Sequence, residues 1–267
     1  VEQAVEAEPA NAQARRDLAI AHERLGDLER VAGNAEVAEQ HYRRSLELWT
    51  VLGTADPEDF AVQRSLAIQI DRLAQLAMTR ADFSAARGLL EQGTAIARRL
   101  VARNPDSAQA QRDLEIVLGR RGDVAFAQQD FAGAEAPYGE AVAIAQALAA
   151  ADPHDREKSR DVSITLMKRA TLRRAQQRPA GAVDDMQIVL MQRRAEYERA
   201  PDARSQRDLA FALNGLGMAQ AEAGNAAGAK QYWRECLALL EALATPGPAD
   251  RALTEQLHQA LDASPKL

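Results

Sequence analysis

An all-α solenoid is the fold class predicted by this sequence, on three observations. Pro9, Pro57, Pro105, Pro153 and Pro201 are spaced by 48 residues, and Pro248 follows after 47. Arg16, Arg64, Arg112, Arg160 and Arg207 step by 48, 48, 48 and 47. Ala38, Ala86, Ala134, Ala182 and Ala229 keep the same phase, and so do the bulkier Tyr42, Leu90, Tyr138, Met186 and Trp233. A period of roughly 20 to 50 residues marks units that cannot bury a hydrophobic face alone and therefore stack into an array. Hydrophobic residues make up 46% of the chain and aromatic ones only 4%, a balance dominated by Ala and Leu that suits close-packed helices better than sheets.

The unit at 57–104 displays the elements in order. Asp56 is a good N-cap and Pro57 a good first helical residue, since proline lacks only an N–H that is unpaired there anyway. A helix is therefore expected from each lattice proline. Asn104 with Pro105 and Asp152 with Pro153 repeat the device, and Ala200 before Pro201 lacks the side-chain cap. Leu66, Ile70, Leu73 and Ala77 then lie on one helical face, and this first helix is expected to end near Thr79. Turn-forming pairs recur in phase at Gly33-Asn34, Ala81-Asp82, Gln129-Asp130, Arg178-Pro179 and Gly224-Asn225. A second helix runs from each toward the next proline, which makes every unit an antiparallel helix pair. The expected units are 9–56, 57–104, 105–152, 153–200 and 201–247. One period aligns Val1 with Trp49 and Glu8 with Asp56, so residues 1–8 read as the end of a truncated preceding repeat. Residues 248–267 read as a capping helix and tail, with Leu253, Leu257 and Leu261 amid polar residues.

Gly26, Ala38, Tyr42 and Ser45 stand at the spacing of the tetratricopeptide signature. Gly122, Ala134, Tyr138, Ala141 and Gly217, Ala229, Trp233, Cys236 repeat it. Weaker versions are Ala74, Ala86, Leu90, Gly93 and Ala170, Ala182, Met186, Val189. Over residues 9 to 247 the chain thus resembles a long-helix tetratricopeptide array, with a 48-residue unit against about 34 in the family. It departs from the family at the early first-helix aromatic, replaced by His22, Ile70, Leu118, Leu166 and Leu213. The resemblance implies about five pairs in a right-handed superhelix that binds a peptide or protein segment in a concave groove lined by first helices. Similar arrays accompany signalling domains in bacterial proteins. The family's Lys/Asn clamp for a chaperone carboxylate terminus is not reproduced, because Glu23 and Asp27 occupy positions where it needs Lys and Asn.

Charge and motif content narrow the function further. A formal charge of −6 and a pI near 5.4 argue against a nucleic-acid partner, which needs clustered positive charge. No apolar run approaches the roughly 20 residues of a membrane span. The compartment stays open, with the cytoplasm favoured. Cys236 is the single cysteine, so neither a disulfide nor a cysteine metal site is available, and it reads as core. His22, His41, His154 and His258 lack metalloprotease spacing, and neither a nucleophile elbow nor a phosphate-cradling loop is present. No cofactor or metal and no enzymatic activity are expected. The distant alternative is a closed ring of helix pairs as in some carbohydrate-active enzymes, which five units and scarce aromatics disfavour.

The first-helix face opposite Leu18, His22, Leu25 and Glu29 supplies the binding candidates. It holds Arg16, Ile20, Glu23 and Asp27; then Arg64, Ile68, Asp71 and Gln75; Arg112, Ile116 and Asp123, with Phe126 nearby; Arg160, Ile164, Met167 and Thr171; and Arg207, Phe211, Asn214 and Met218. Residue types present in every unit are most simply explained by the neighbour every unit has. The arginine row followed by Asp17, Asp113, Asp161 and Asp208 is either a ladder between units or a grip on an acidic peptide. The Ile/Phe row is either lateral packing or an apolar track. Positions that vary are better specificity candidates, acidic at one end (Glu23, Asp27, Asp71) and apolar at the other (Phe126, Met167, Phe211, Met218). A further basic row is Arg24, Arg72, Arg120 and Lys168. The apolar face near Leu18 and Leu25 also offers self-association as a homodimer.

Overall fold

The computed structural model describes residues 11–262, and the segment read as the end of a preceding repeat lies outside them. Eleven α-helices and no strands occur among the described residues: α1 (Ala12–Val31), α2 (Ala35–Ala55), α3 (Phe60–Thr79), α4 (Phe83–Arg103), α5 (Ala108–Ala127), α6 (Phe131–Ala151), α7 (Arg156–Ala175), α8 (Pro179–Arg199), α9 (Ala203–Glu222), α10 (Ala226–Glu241) and α11 (Pro248–Asp262). Two compact units divide the chain at 144/145. In the first, α1 packs on α2, α3 on α4, and α2 and α4 each on the helix that follows; in the second, α7–α8, α8–α9, α9–α10 and α10–α11 pack in sequence. This is the expected all-α solenoid of helix pairs, ending in a helix at Pro248.

The helix starts differ from the sequence expectation. The lattice prolines do not open the first helices; the N-caps are Asn11, Asp59, Ser107, Asp155 and Asp202, one to two residues after each proline. Asp56 and Asn104 instead close the preceding helices. The N–H groups of Asp59, Ser107 and Asp155 return to the carbonyls of Asp56, Asn104 and Asp152 at 3.4, 3.0 and 3.2 Å. Proline thus sits at the second position of a tight turn, which requires the same φ as a helical N1 and leaves sequence inspection no way to separate the two. Ala200 costs nothing, because Asp202 and Ser205 form a reciprocal capping box.

Each first helix ends with a residue in the left-handed region: Gly33 (φ 86°), Ala81 (58°), Gln129 (59°), Gln177 (57°) and Gly224 (84°). The next N–H then reaches five residues back, Asn34 to the carbonyl of Glu29 at 2.8 Å and Asp82 to that of Ala77 at 2.9 Å, which satisfies carbonyls orphaned at the helix end.

Within each pair the crossing is set by one small residue against one bulky one. A Cβ added at Gly26 would lie 2.5 Å from the Tyr42 ring, at Gly122 2.4 Å from Tyr138, and at Gly217 2.4 Å from Trp233. Where the bulky residue is aliphatic, as Leu90 and Met186, the partner position carries Ala74 and Ala170, all four buried. The side-chain volumes on the two sides of the crossing therefore vary together, small against large. Ser45 and Cys236 fill the small position of second helices and donate to the carbonyls of Ala19 and Ala210 at 2.9 and 3.0 Å. Burial pushes the Cys236 thiol up to about 12, so it stays protonated and packs as core.

Gly122→Ala is expected to destabilise by about 1–3 kcal/mol through overpacking on Tyr138. Combining it with Tyr138→Leu, which recreates the Ala74/Leu90 arrangement, is expected to cost less than the sum of the two single changes; urea unfolding of the four proteins in a double-mutant cycle measures the coupling. Tyr138→Ala alone is expected to cost about 3–5 kcal/mol.

Candidate functional site

In the first unit the candidate face is braced by charge. Arg16 bonds Asp59, the N-cap of α3, at 2.6 Å, and Arg64 bonds Asp113 on α5 at 2.5 and 3.2 Å. A second set of links runs through the other basic row. Arg72 reaches back to Glu23 at 2.8 Å and Asp27 at 3.0 Å, and Arg120 reaches back to Asp71 at 2.5 Å. Asp27 also accepts from the Tyr42 hydroxyl at 2.7 Å, Asp123 from Tyr138 at 2.8 Å, and Glu23 from the Gln69 amide at 2.7 Å. The acidic residues singled out as specificity positions are thus held by the neighbouring repeat. Burial pushes the Asp71 carboxyl above the ordinary carboxylate range, partly offset by Arg120 and by the Gln75 amide that donates to it at 2.9 Å. Sequence reading placed Arg72 and Arg120 on a row of their own and missed this bracing. The signal was available, since Arg72 follows Glu23 by the same interval, 49 residues, that separates Arg120 from Asp71 and Asp113 from Arg64.

Between these ion pairs lies an apolar recess of about 90 Å³ whose walls are Ala67, Ile68, Gly93, Leu100, Ile116 and Val117, with Arg64, Asp71 and Asp113 at its rim. It brings together four candidates, Arg64, Ile68, Asp71 and Ile116. Arg112 is half-buried. Phe126 is engaged elsewhere, its ring 5.4 Å from that of Phe131 across the turn between α5 and α6. His22 and His41, which lack metalloprotease spacing, face each other with Nδ1 atoms 3.0 Å apart.

In the second unit the remaining candidates lie on the neighbouring helices α7 and α9. Arg207 bonds Asp250 of α11 and the Thr245 carbonyl, both at 2.8 Å. Thr171 donates to the Met167 carbonyl at 2.9 Å, and the Asn214 amide lies 3.8 Å from the Met218 sulfur. Arg160 is exposed. Across the two units the apolar row keeps much of its surface in water: Ile20 is 38% exposed, Ile116 38%, Ile164 41%, Phe211 36% and Met218 37%. By contrast, the second helices present ion pairs between repeats, Arg98–Glu140 at 2.6 Å and Arg194–Glu235 at 2.8 Å.

With this geometry the solved structures can be compared. BtubC (BKLC) from P. vanneervenii superposes with a TM-score of 0.68 at 20% identity, covering 92% of this chain and 89% of that one. The chain has a tetratricopeptide-like fold. The nearly identical TPR-like repeats of a putative kinesin light chain from Podosopora anserina give 0.59 at 16% identity, over 84% of this chain and 96% of that one. The apo form of RapI gives 0.67 at 9% identity, over 98% and 67%. No protein-family model matches the chain, and no curated protein sequence does. The tetratricopeptide-like fold accounts for the recurrent Gly–aromatic crossings.

The ladder carries a pH signature. The Arg16 guanidinium, with the Val62 N–H, holds the Asp59 carboxyl below its ordinary range. A depressed folded-state pKa means that the stabilisation is present above the unfolded value, about 4, and is lost as the pH falls through the folded value. Asp59→Asn keeps an N-cap and removes the ion pair. It is expected to cost about 1 kcal/mol or less at pH 7 and to flatten the acid limb of stability below about pH 4, as read by urea titrations across that range.

Proposed function

We propose that the chain is a protein-interaction scaffold that holds an extended or helical segment of a partner along the first-helix face, with apolar contacts as anchors. The observation that supports this is the contrast between rows. Almost every charge on the face of the first unit is engaged by a neighbouring repeat, while Ile20, Ile116, Ile164 and Phe211 of the Ile/Phe row keep 36–41% of their surface exposed, which full lateral packing would have covered. The recess at Ile68 and Ile116 fits one aliphatic side chain and is well below the roughly 300–1,000 Å³ of small-molecule sites. Within the second unit, Phe211, Met167 and Met218 supply an adaptable apolar stretch.

The test begins with a peptide selected by phage display against the intact chain. Ile116→Arg and Phe211→Arg are each expected to weaken it at least tenfold, about 1.4 kcal/mol, with the melting temperature unchanged because both side chains are exposed. If neither change alters affinity while Arg98→Glu or Glu140→Arg abolishes it, the second-helix surface is the binding face instead.

A second reading, self-association, is favoured by the exposed apolar side chains of α1: Leu25 is 43% exposed, Leu28 67% and Val31 78%, whereas Leu18 is buried. Sedimentation of Leu28→Glu against the parent chain decides it, a dimer in the parent that dissociates in the variant being the supporting result.

A further inference from the structure

The fourth repeat breaks the pattern of the others at one junction. Trp49, Ala97, Ala145 and Leu240 are in phase on the second helices, and all four are buried and apolar. The fourth member of that row is Arg193, 5% exposed. Its guanidinium lies 2.6 Å from Glu196 and 3.8 Å from Asp208. Asp208 occupies the phase of Asp113, which in the first unit takes the guanidinium of Arg64. Here that carboxylate faces Arg193, and Arg160, the in-phase equivalent of Arg64, has no ion pair or hydrogen bond.

Arg160 opens onto a cleft of about 300 Å³ between the start of α7, the end of α8 and the start of α9, all within the second unit. Arg156, Arg199 and Arg204 line the same cleft, all exposed and none with a side-chain hydrogen bond or ion pair. Four carboxylates share the lining: Glu196 and Asp208 attend Arg193, Asp202 is engaged by the backbone of Arg204 and Ser205 at 2.8 and 2.7 Å and lies in the field of the Arg204 charge, and Glu157 stands on the first turn of α7. Three of the five arginines are peculiar to this junction: Arg156 stands where the other repeats have Ala12, Phe60, Ala108 and Ala203, and Arg204 where they have Gln13, Ala61, Gln109 and Glu157. Arg156 and Arg204 occupy the first and second positions of α7 and α9, where the helix dipole disfavours a cation. Local preference is therefore violated at two helix starts and one core position, all around one cleft. Such a conflict is expected where function outweighs folding.

We propose that this cleft is an anion subsite that grips carboxylates of an acidic segment in the partner. Guanidinium forks match carboxylates bidentately, and four unpaired ones converge here on a chain whose formal charge is −6. The assignment deepens the scaffold reading and rests on it, since the occupant is a protein segment. Arg193 is a positioning residue, held in place by Glu196 and Asp208.

Fluorescein-labelled heptaglutamate, titrated into the intact chain and followed by anisotropy, is the probe. Saturable micromolar binding that weakens at least tenfold in Arg156→Gln/Arg204→Gln, and again in Arg160→Gln, is expected. The matched loss of charge in Arg44→Gln/Arg234→Gln, at exposed positions outside the cleft, is expected to change it less than twofold. Melting temperatures of all variants should match the parent, because every altered side chain is exposed. Equal weakening in the two double variants would reduce the effect to overall charge and overturn the site. Absence of binding by the parent at millimolar peptide overturns it outright, and pyrophosphate binding tighter than the peptide would replace a protein segment by a free phosphate ligand. Phe211→Ala/Met218→Ala, run alongside, should leave heptaglutamate binding intact; a display-selected peptide insensitive to that variant would count against the apolar track and leave the anion site standing.

Discussion

The separation between the two helices of each pair is the quantity on which the other features depend. It is fixed where Gly26 meets Tyr42, Gly122 meets Tyr138 and Gly217 meets Trp233, with the ring against backbone where a Cβ would be. Two other pairs use Ala74 with Leu90 and Ala170 with Met186, trading volume across the crossing. A close-packed interior does not absorb a methyl group without a shift. Any drift in one crossing would move the next repeat, and the links between repeats are short: Arg64 to Asp113 is 2.5 Å and Arg120 to Asp71 is 2.5 Å. Packing within a pair therefore precedes electrostatics between pairs.

The ladder in turn decides what the face offers a partner. Glu23, Asp27 and Asp71 look on a helical wheel like an acidic patch, yet Arg72 and Arg120 from the following repeats hold them. A charge already paired contributes little to a ligand, since binding it means breaking one ion pair to form another. The uncommitted features are of two kinds: an apolar row along the first helices and, in the second unit, a cleft of arginines without partners. Both belong to the same logic, in which whatever repeats is spent on the neighbour and whatever is left over faces outward.

Much of this was legible because the chain compares itself with itself. The period, the pairs, the turn positions and the Gly–aromatic crossings follow from residues that recur in phase. Helix starts were misread by two to three residues, because proline at the second position of a tight turn and proline at a helical N1 have the same φ. Asp59, Ser107 and Asp155 were available as N-caps but lay behind the more conspicuous Asp-Pro and Asn-Pro pairs, and Asp202 directly follows Pro201. The left-handed residues Ala81, Gln129 and Gln177 carry no signal of their own and are identified only by sharing a phase with Gly33 and Gly224. Partners separated by about one period, such as Arg72 with Glu23, needed a distance that no helical wheel supplies.

The fourth repeat departs from the others at a buried position. Arg193 in a list of residues is one arginine among many on a helix. It becomes informative because Trp49, Ala97, Ala145 and Leu240 mark its position as buried and apolar, and because it faces the carboxylate that Arg160 would otherwise hold. Burying a guanidinium in place of an aliphatic side chain is rarely the more stable choice, even when it is paired. In an array whose other repeats retain the apolar residue, the exception is better explained by what it releases than by what it stabilises. What it releases is Arg160, at the mouth of a cleft that already holds three arginines without partners.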